Sequence, residues 1–225
     1  VTYTLTPYIS SNWGGADCLN GDTTITVWVN PTPAIRVIAE DSLICNGEAA
    51  RIRVHNPNEF LLGEWEYDLV VTPDPAIDGA RADTAGITDR LIEDVLINND
   101  TIVHKVIYEF FPTKTYDPNL VCEGGGKDTA IVIWVNPTPE IRISADDNVI
   151  CNGDTLTFDI RNPNWDIRGA WRYDLEIDAD EEIGGERAED TDLDLTTFTE
   201  ILTNNDTIAH RVIYRFIPHI TDDDG

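Results

Sequence analysis

The chain has 225 residues, 41% of them hydrophobic, which is enough for packed cores and too much for a disordered acidic tail. Its 15 Lys and Arg against 42 Asp and Glu give a formal charge of −27, and this argues against nucleic acid or an anionic membrane as partner, since both need basic surfaces. No apolar run approaches the roughly 20 residues that span a bilayer, so no membrane insertion by this segment is expected.

In chain order, Val1 to Pro7 reads as a strand entered midway, so residues 1–30 are expected to be the C-terminal strands of a preceding repeat in a longer protein. Further short, β-branched, alternating runs cover 34–39, 51–55, 64–72, 91–97, 102–111 and 130–135, with a less regular seventh at 76–82. Asn, Asp, Gly and Pro punctuate them, and no helical period is present. Alternation turns Val106, Tyr108 and Phe110 inward, together with Trp65, Tyr67 and Leu69, and leaves Glu64, Glu66 and Asp68 outside. Seven short strands in about 100 residues is the antiparallel sandwich pattern.

Self-comparison sets the organisation. Asn30-Pro31-Thr32-Pro33 returns as Asn136-Pro137-Thr138-Pro139, and Ile44-Cys45-Asn46-Gly47 as Ile150-Cys151-Asn152-Gly153, both at an offset of 106. Asn56-Pro57-Asn58, Trp65 to Leu69 and Asn98 to Ile102 return at the same offset, and the strand at 106–112 occurs three times. A period this long suits an immunoglobulin-sized unit and not a solenoid repeat. The expected architecture is all-β, with tandem immunoglobulin-like antiparallel β-sandwich domains joined by short Pro-rich linkers. One complete repeat would cover 34–136, and a third, at 140–225, would lack its last strand. Two prolines one residue apart cannot join a central strand, so Asn-Pro-Thr-Pro is read as a stiff linker.

The strand at 1–7, Cys18 before Gly21-Asp22-Thr23-Thr24, Val29 to Pro33, and Ile44-Cys45-Asn46-Gly47 together resemble the PKD-like domains of Bacteroidota. Such domains occur in giant cell-surface adhesins, including those of the gliding type, and in other secreted proteins. The resemblance implies an immunoglobulin-like sandwich, surface display and repetition. It names no ligand and no catalysis.

Cys18, Cys45, Cys122 and Cys151 are disulfide candidates, either within a unit as Cys45–Cys122 or between neighbouring units. Asp followed by Ser or Thr recurs at Thr23, Ser42, Thr84, Thr101, Thr129, Thr155 and Thr207, similar to the O-glycosylation acceptor pattern of Bacteroidota; turn and strand-start preference accounts for the same triplets. Asp178 and Asp180, and Asp190, Asp192 and Asp194, form acidic clusters that calcium could use, with Asp222 to Asp224 as another. No EF-hand spacing is present, solvated loops are the preferred reading, and no other cofactor is expected.

Ile25, Val27 and Val29, like Ile131, Ile133 and Val135, alternate inward and turn Trp28 and Trp134 outward just before the linker. These two tryptophans are the candidates for inter-domain or lateral contact, against a strand buried on both faces. His104 and His210 are equivalent positions without a partner motif and read as structural. No nucleophile-elbow, zinc-protease or phosphate-loop fingerprint occurs, so an enzyme is not expected. The expected function is a structural or adhesive repeat segment of a large secreted bacterial surface adhesin or extracellular filament, acting as a stiff rod. The alternative is a spacer or carbohydrate-binding module of a secreted hydrolase. The expected partners are neighbouring repeats, identical chains in a filament and surface glycans.

Overall fold

A computed structural model describes residues 1–9, 18–19, 21–58, 60, 62–117, 120–123 and 129–221. Every described element is a strand. The first four are β1 (Thr2–Leu5), β2 (Tyr8–Ile9), β3 (Cys18–Leu19) and β4 (Thr23–Thr26). The middle of the chain forms β5 (Arg36–Ala39), β6 (Leu43–Ile44), β7 (Ala49–His55), β8 (Glu64–Pro73), β9 (Ile77–Asp78), β10 (Thr84–Ile87), β11 (Leu91–Val95), β12 (Ile97–Asn98), β13 (His104–Asp117), β14 (Leu120–Glu123) and β15 (Thr129–Val135). The C-terminal region forms β16 (Arg142–Ala145), β17 (Thr155–Arg161), β18 (Ala170–Ala179), β19 (Ile183–Gly184), β20 (Asp190–Leu193), β21 (Thr197–Ile201), β22 (Thr203–Asn204) and β23 (Val212–Thr221).

The central region has a sheet in the order β10-β8-β13-β15-β6, with β14 extending β13, and a facing sheet in the order β11-β7-β5. The alternation of the strands aims one face of each sheet at the other. Ile52, Val54 and Ile92 meet Tyr67, Leu69, Val106, Tyr108, Phe110, Ile133 and Val135, all at most 1% exposed. Residues 141–216 build a second core around Leu156, Phe158, Ile160, Tyr173, Leu175, Phe198 and Leu202. Its sheets are β16-β17-β21 and β20-β18-β23.

Three differences from the sequence expectation have physical causes. The pairing is not wholly antiparallel: β6 runs parallel to β15, because the chain crosses between sheets just after β5. The irregular seventh run yields only β9, which pairs with β12, and the strand beside β8 is β10, whose Thr84-Ala85-Gly86 has no apolar alternation. It is held instead by side chains: Val71 N–H donates to Asp83 at 2.8 Å and Gly86 N–H to Asp68 at 2.9 Å. Finally, Val1, Tyr3, Leu5, Ile25, Val27 and Val29 are exposed, since β1 and β4 pair only with each other among the described residues.

Among the described residues, one acidic and one basic side chain, Asp94 and Lys114, are buried in the central core. The Asp94 carboxylate, 6% exposed, accepts from Arg81 Nε at 2.8 Å and from Tyr108 OH at 2.9 Å. Burial first, and then this carboxylate, push the Tyr108 phenol far above its ordinary pKa. The second core repeats the device with Glu200, which receives Arg187 N–H and Tyr214 OH. Lys114 is different: it is fully buried, opposite Trp65 and Cys122, and its Nζ has no hydrogen-bond partner among the described residues. Desolvation lowers its pKa against the opposing pull of Glu64 and Glu66.

Candidate functional site

The segment between the two cores begins at Asn136, and its prolines leave it without ladder donors. Side-chain amides replace the ladder. Asn136, 3% exposed, donates from Nδ2 to Arg168 O at 2.8 Å and accepts from Arg168 N–H at 2.9 Å. Its own N–H reaches Ile44 O at 2.9 Å. Asn164, 1% exposed, accepts from Glu140 N–H at 2.7 Å and donates to Thr138 O at 3.2 Å and to Thr101 O at 3.1 Å. Pro163 leaves Asn162 free to cap Asn164 N–H at 2.7 Å. Trp171 Nε1–H then donates to Glu140 O at 3.0 Å.

The same geometry occurs at Asn30, which exchanges two 2.9 Å bonds with the Leu62 backbone. Asn58 likewise accepts from Ala34 N–H at 2.8 Å and donates to Thr32 O at 3.2 Å, and Trp65 Nε1–H donates to Ala34 O at 3.1 Å.

From the central core, Asn46 reaches Thr138 Oγ1 at 2.7 Å, and Val103 N–H donates to Asp166 O at 2.8 Å. The 98–103 loop that supplies Thr101 and Val103 is itself braced. Asn98 Nδ2 donates to Ile102 O at 2.8 Å and Val135 O at 2.9 Å. His104 sits between Asp100, at 3.1 Å from Nε2, and Asp74, at 3.4 Å from Nδ1. The His104 hydrogen bond first, and then Thr101 N–H, hold the Asp100 carboxyl below the usual carboxylate range. His210 repeats the clamp on Asp206 at 3.0 Å and Asp180 at 3.3 Å, and those bonds raise its pKa, Asp206 contributing most.

Trp134 stands on the half-buried face of β15 with the Arg168 guanidinium 3.6 Å from its ring centroid and Lys105 Nζ at 5.6 Å. Trp28 is 67% exposed, and the position that faces it by repeat is Leu62, which carries no charge. Along β13, Lys105 opposite Trp134 and Lys114 opposite Trp65 mark the two ends of the central sandwich. At ~3.4 Å per residue they lie about 30 Å apart. The 30–35 and 136–140 segments therefore leave from opposite ends.

The expectation of a disulfide is corrected: among the described residues there is none, and Cys122 and Cys151 carry free thiols. Cys45 adjoins Asn46 at the Thr138 end, whereas Cys122 pairs with Lys114 at the Ala34 end. A bridge needs Cα atoms within about 7 Å, which this separation forbids for Cys45–Cys122. The Cys18 side chain, and Asp222 to Asp224, lie outside the described residues.

Thr23, Ser42, Thr84, Thr155 and Thr207 are exposed, while Thr101 and Thr129 are half-buried. The acidic clusters are dispersed. Asp180 accepts from Arg211 N–H and faces His210, Asp190 faces Arg187, Asp192 and Asp194 face Arg172, and Asp178 is exposed. No group of three or more metal-ligating side chains gathers among the described residues. The sequence reading missed Arg168, Asn164 and the two histidine clamps. Their one signal was the recurrence of Asn beside Pro and of His104 at His210.

Residues 42–139 match the PKD-like domain family. No curated protein matches the chain. Two solved structures resemble it at 10% identity. The adhesin FdeC of Escherichia coli has a TM-score of 0.45, over 89% of this chain and 64% of that one. The Yersinia pseudotuberculosis adhesin InvE has a TM-score of 0.26, over 83% and 60%. The chain spans under two thirds of the length of either.

Proposed function

We propose that this chain, which carries a PKD-like domain at residues 42–139, is a structural segment of a large secreted bacterial adhesin or extracellular filament and acts there as a stiff rod. The observation that carries the reading is the joint at 134–140. Asn164 and Trp171 of the following unit hold the linker backbone at Thr138 and Glu140, and Asn46 of the central unit holds the Thr138 hydroxyl. Thr101 O and Val103 N–H of the central unit bond directly to Asn164 and Asp166, and the Trp134 ring is capped by Arg168. A hinge would leave these groups to water. Here the buried amides of Asn136 and Asn164 have partners only at one relative placement of the cores, which favours a fixed angle. The charge of −27 keeps such a rod soluble and self-repelling in the absence of screening salt.

In this reading 34–136 and 140–225 are successive repeats, the surface belongs to a Bacteroidota cell, and glycans on the exposed Asp-Ser/Thr sites protect the rod. The repeated Asn30–Leu62 and Asn136–Arg168 clamps support the first of these. Antibodies raised against residues 34–136 should label intact cells of the producing bacterium. Labelling only after lysis would overturn the surface assignment.

A further inference from the structure

On a chain with 15 basic and 42 acidic residues, arginines gather on one face of the central sandwich. Ala50, Ile52 and Val54 of β7 fill the core, so Arg51, Arg53 and His55 point to solvent. Arg36 of β5 lies opposite His55, and Arg90 leads into β11. Arg51 is paired with Glu93 at 2.8 Å and Arg53 with Glu40. Among the described residues no carboxylate pairs with Arg36 or Arg90. A shallow groove of about 310 Å3 opens between Arg53, His55, Asn56 and Arg90.

This corner is ordered and it is also part apolar. The Arg90 guanidinium lies 4.8 Å from the centroid of the Trp65 ring, which its Nε1 bond to Ala34 O fixes in turn. A guanidinium held by stacking keeps its in-plane N–H donors for a ligand. Arg53 sits in register between Ile38 of β5 and Leu91 of β11, which are 41% and 42% exposed. Strands about 4.8 Å apart make this an aliphatic, cationic, aliphatic row about 10 Å wide.

The following unit keeps the fold and drops the row. Ile38, Arg53, Arg90 and Leu91 correspond to Ser144, Asp159, Thr196 and Thr197, with Asp159 again opposite Thr197. The sandwich therefore requires none of the four. Those equivalents are all exposed although the central unit precedes them, so this corner lies clear of a joint.

We propose that the corner formed by Arg36, Arg53, His55 and Arg90 binds an acidic polysaccharide, a polymer whose sugar rings carry carboxylates. Arg36 and Arg90 pair with successive carboxylates, and the Arg53 donors left over from Glu40 take ring hydroxyls. Ile38 and Leu91 take the apolar face of a ring. The acidic surface around the corner selects against denser polyanions, since duplex DNA brings one charge per about 1.7 Å. One carboxylate per sugar is sparser and matches a few arginines.

The inference rests on the adhesin reading for the setting in which such a polymer is met. Its test leaves the joint at 134–140 untouched, so the two can fail separately. Calorimetric titration of the full chain with polygalacturonate at low ionic strength should show binding that added salt weakens. Arg53→Asp together with Arg90→Thr, the residues of the following unit, should weaken it at least tenfold with circular dichroism unchanged. Arg161→Ala, at an exposed arginine of the following unit, should leave it unaltered. Neutral dextran, which lacks the carboxylates, and poly-L-glutamate, which lacks the rings, should each bind at least tenfold more weakly. The proposal is overturned if polygalacturonate does not bind, or if the double variant binds it undiminished. Equal binding of dextran, poly-L-glutamate or duplex DNA, or an equal loss in Arg161→Ala, overturns it as well.

Discussion

Arg168 lies with its guanidinium 3.6 Å from the centroid of the Trp134 ring, although Trp134 stands on β15 of the central sandwich and Arg168 just before β18 of the following one. Cation–π pairs at partly exposed sites contribute about 0.5–1 kcal/mol. A double-mutant cycle of Trp134→Ala and Arg168→Ala, read by urea denaturation, should therefore give a coupling energy of about that size. Additive losses would mean that the contact does no work across the joint.

Lys114 is a buried amine without a hydrogen-bond partner among the described residues. The equivalent position of the following unit is Ile220, which shows that the fold accepts an aliphatic side chain there. An unsatisfied buried polar group costs about 1–3 kcal/mol, so Lys114→Ile should raise Tm. The same variant should also remove a pH dependence. The folded-state pKa of Lys114 is depressed, so stability drops as pH falls from the amine's ordinary range toward the depressed value, where the unfolded chain takes up a proton that the buried amine does not, and levels off below it.

Asp94 joins Arg81 to Tyr108 inside the central core. Asp94→Ala leaves both without their shared acceptor, and breaking a buried pair in this way costs about 3–5 kcal/mol. Thermal unfolding should show the loss. Asp94→Glu should recover some of it, because Glu200 fills the equivalent role in the second core.

His210 has a raised pKa, while Asp180 and Asp206 have lowered ones. The histidine's contribution is fully present below its unfolded value of about 6.5 and is lost as pH rises through the raised folded value. The carboxylates' contribution is present above about 4 and is lost as pH falls through their depressed values. Both act between about pH 4 and 6.5. Melting of the C-terminal core should thus occur at higher temperature at pH 5.5 than at pH 8, and His210→Gln should shrink that difference.

Much of the fold was legible, because a half-buried strand must alternate. Val106, Tyr108 and Phe110 point inward as their spacing requires, and so do Trp65, Tyr67 and Leu69. The alternation failed where side chains and not apolar faces hold a strand, as at β10, whose bonds to Asp68 and Asp83 leave no periodic trace. It also could not say which ends are covered. Lys114 falls on an inward position, yet nothing local to Thr113-Lys114-Thr115 marks that end as closed. The joint was visible as Asn beside Pro, but its contacts join loops distant in sequence. Asn164 reaches Thr101 with its side-chain amide while its own N–H donates to Asn162 Oδ1.

The central claim is that the joint fixes the angle between the two cores. It is tested most directly by pulsed electron spin resonance between labels at Thr72→Cys on β8 and Thr199→Cys on β21, with the native cysteines replaced by serine. A single narrow distance distribution is expected, which broadens when Asn136 and Asn164 are both changed to Ala. A broad distribution in the parent chain, unaltered by those substitutions, would contradict a stiff rod.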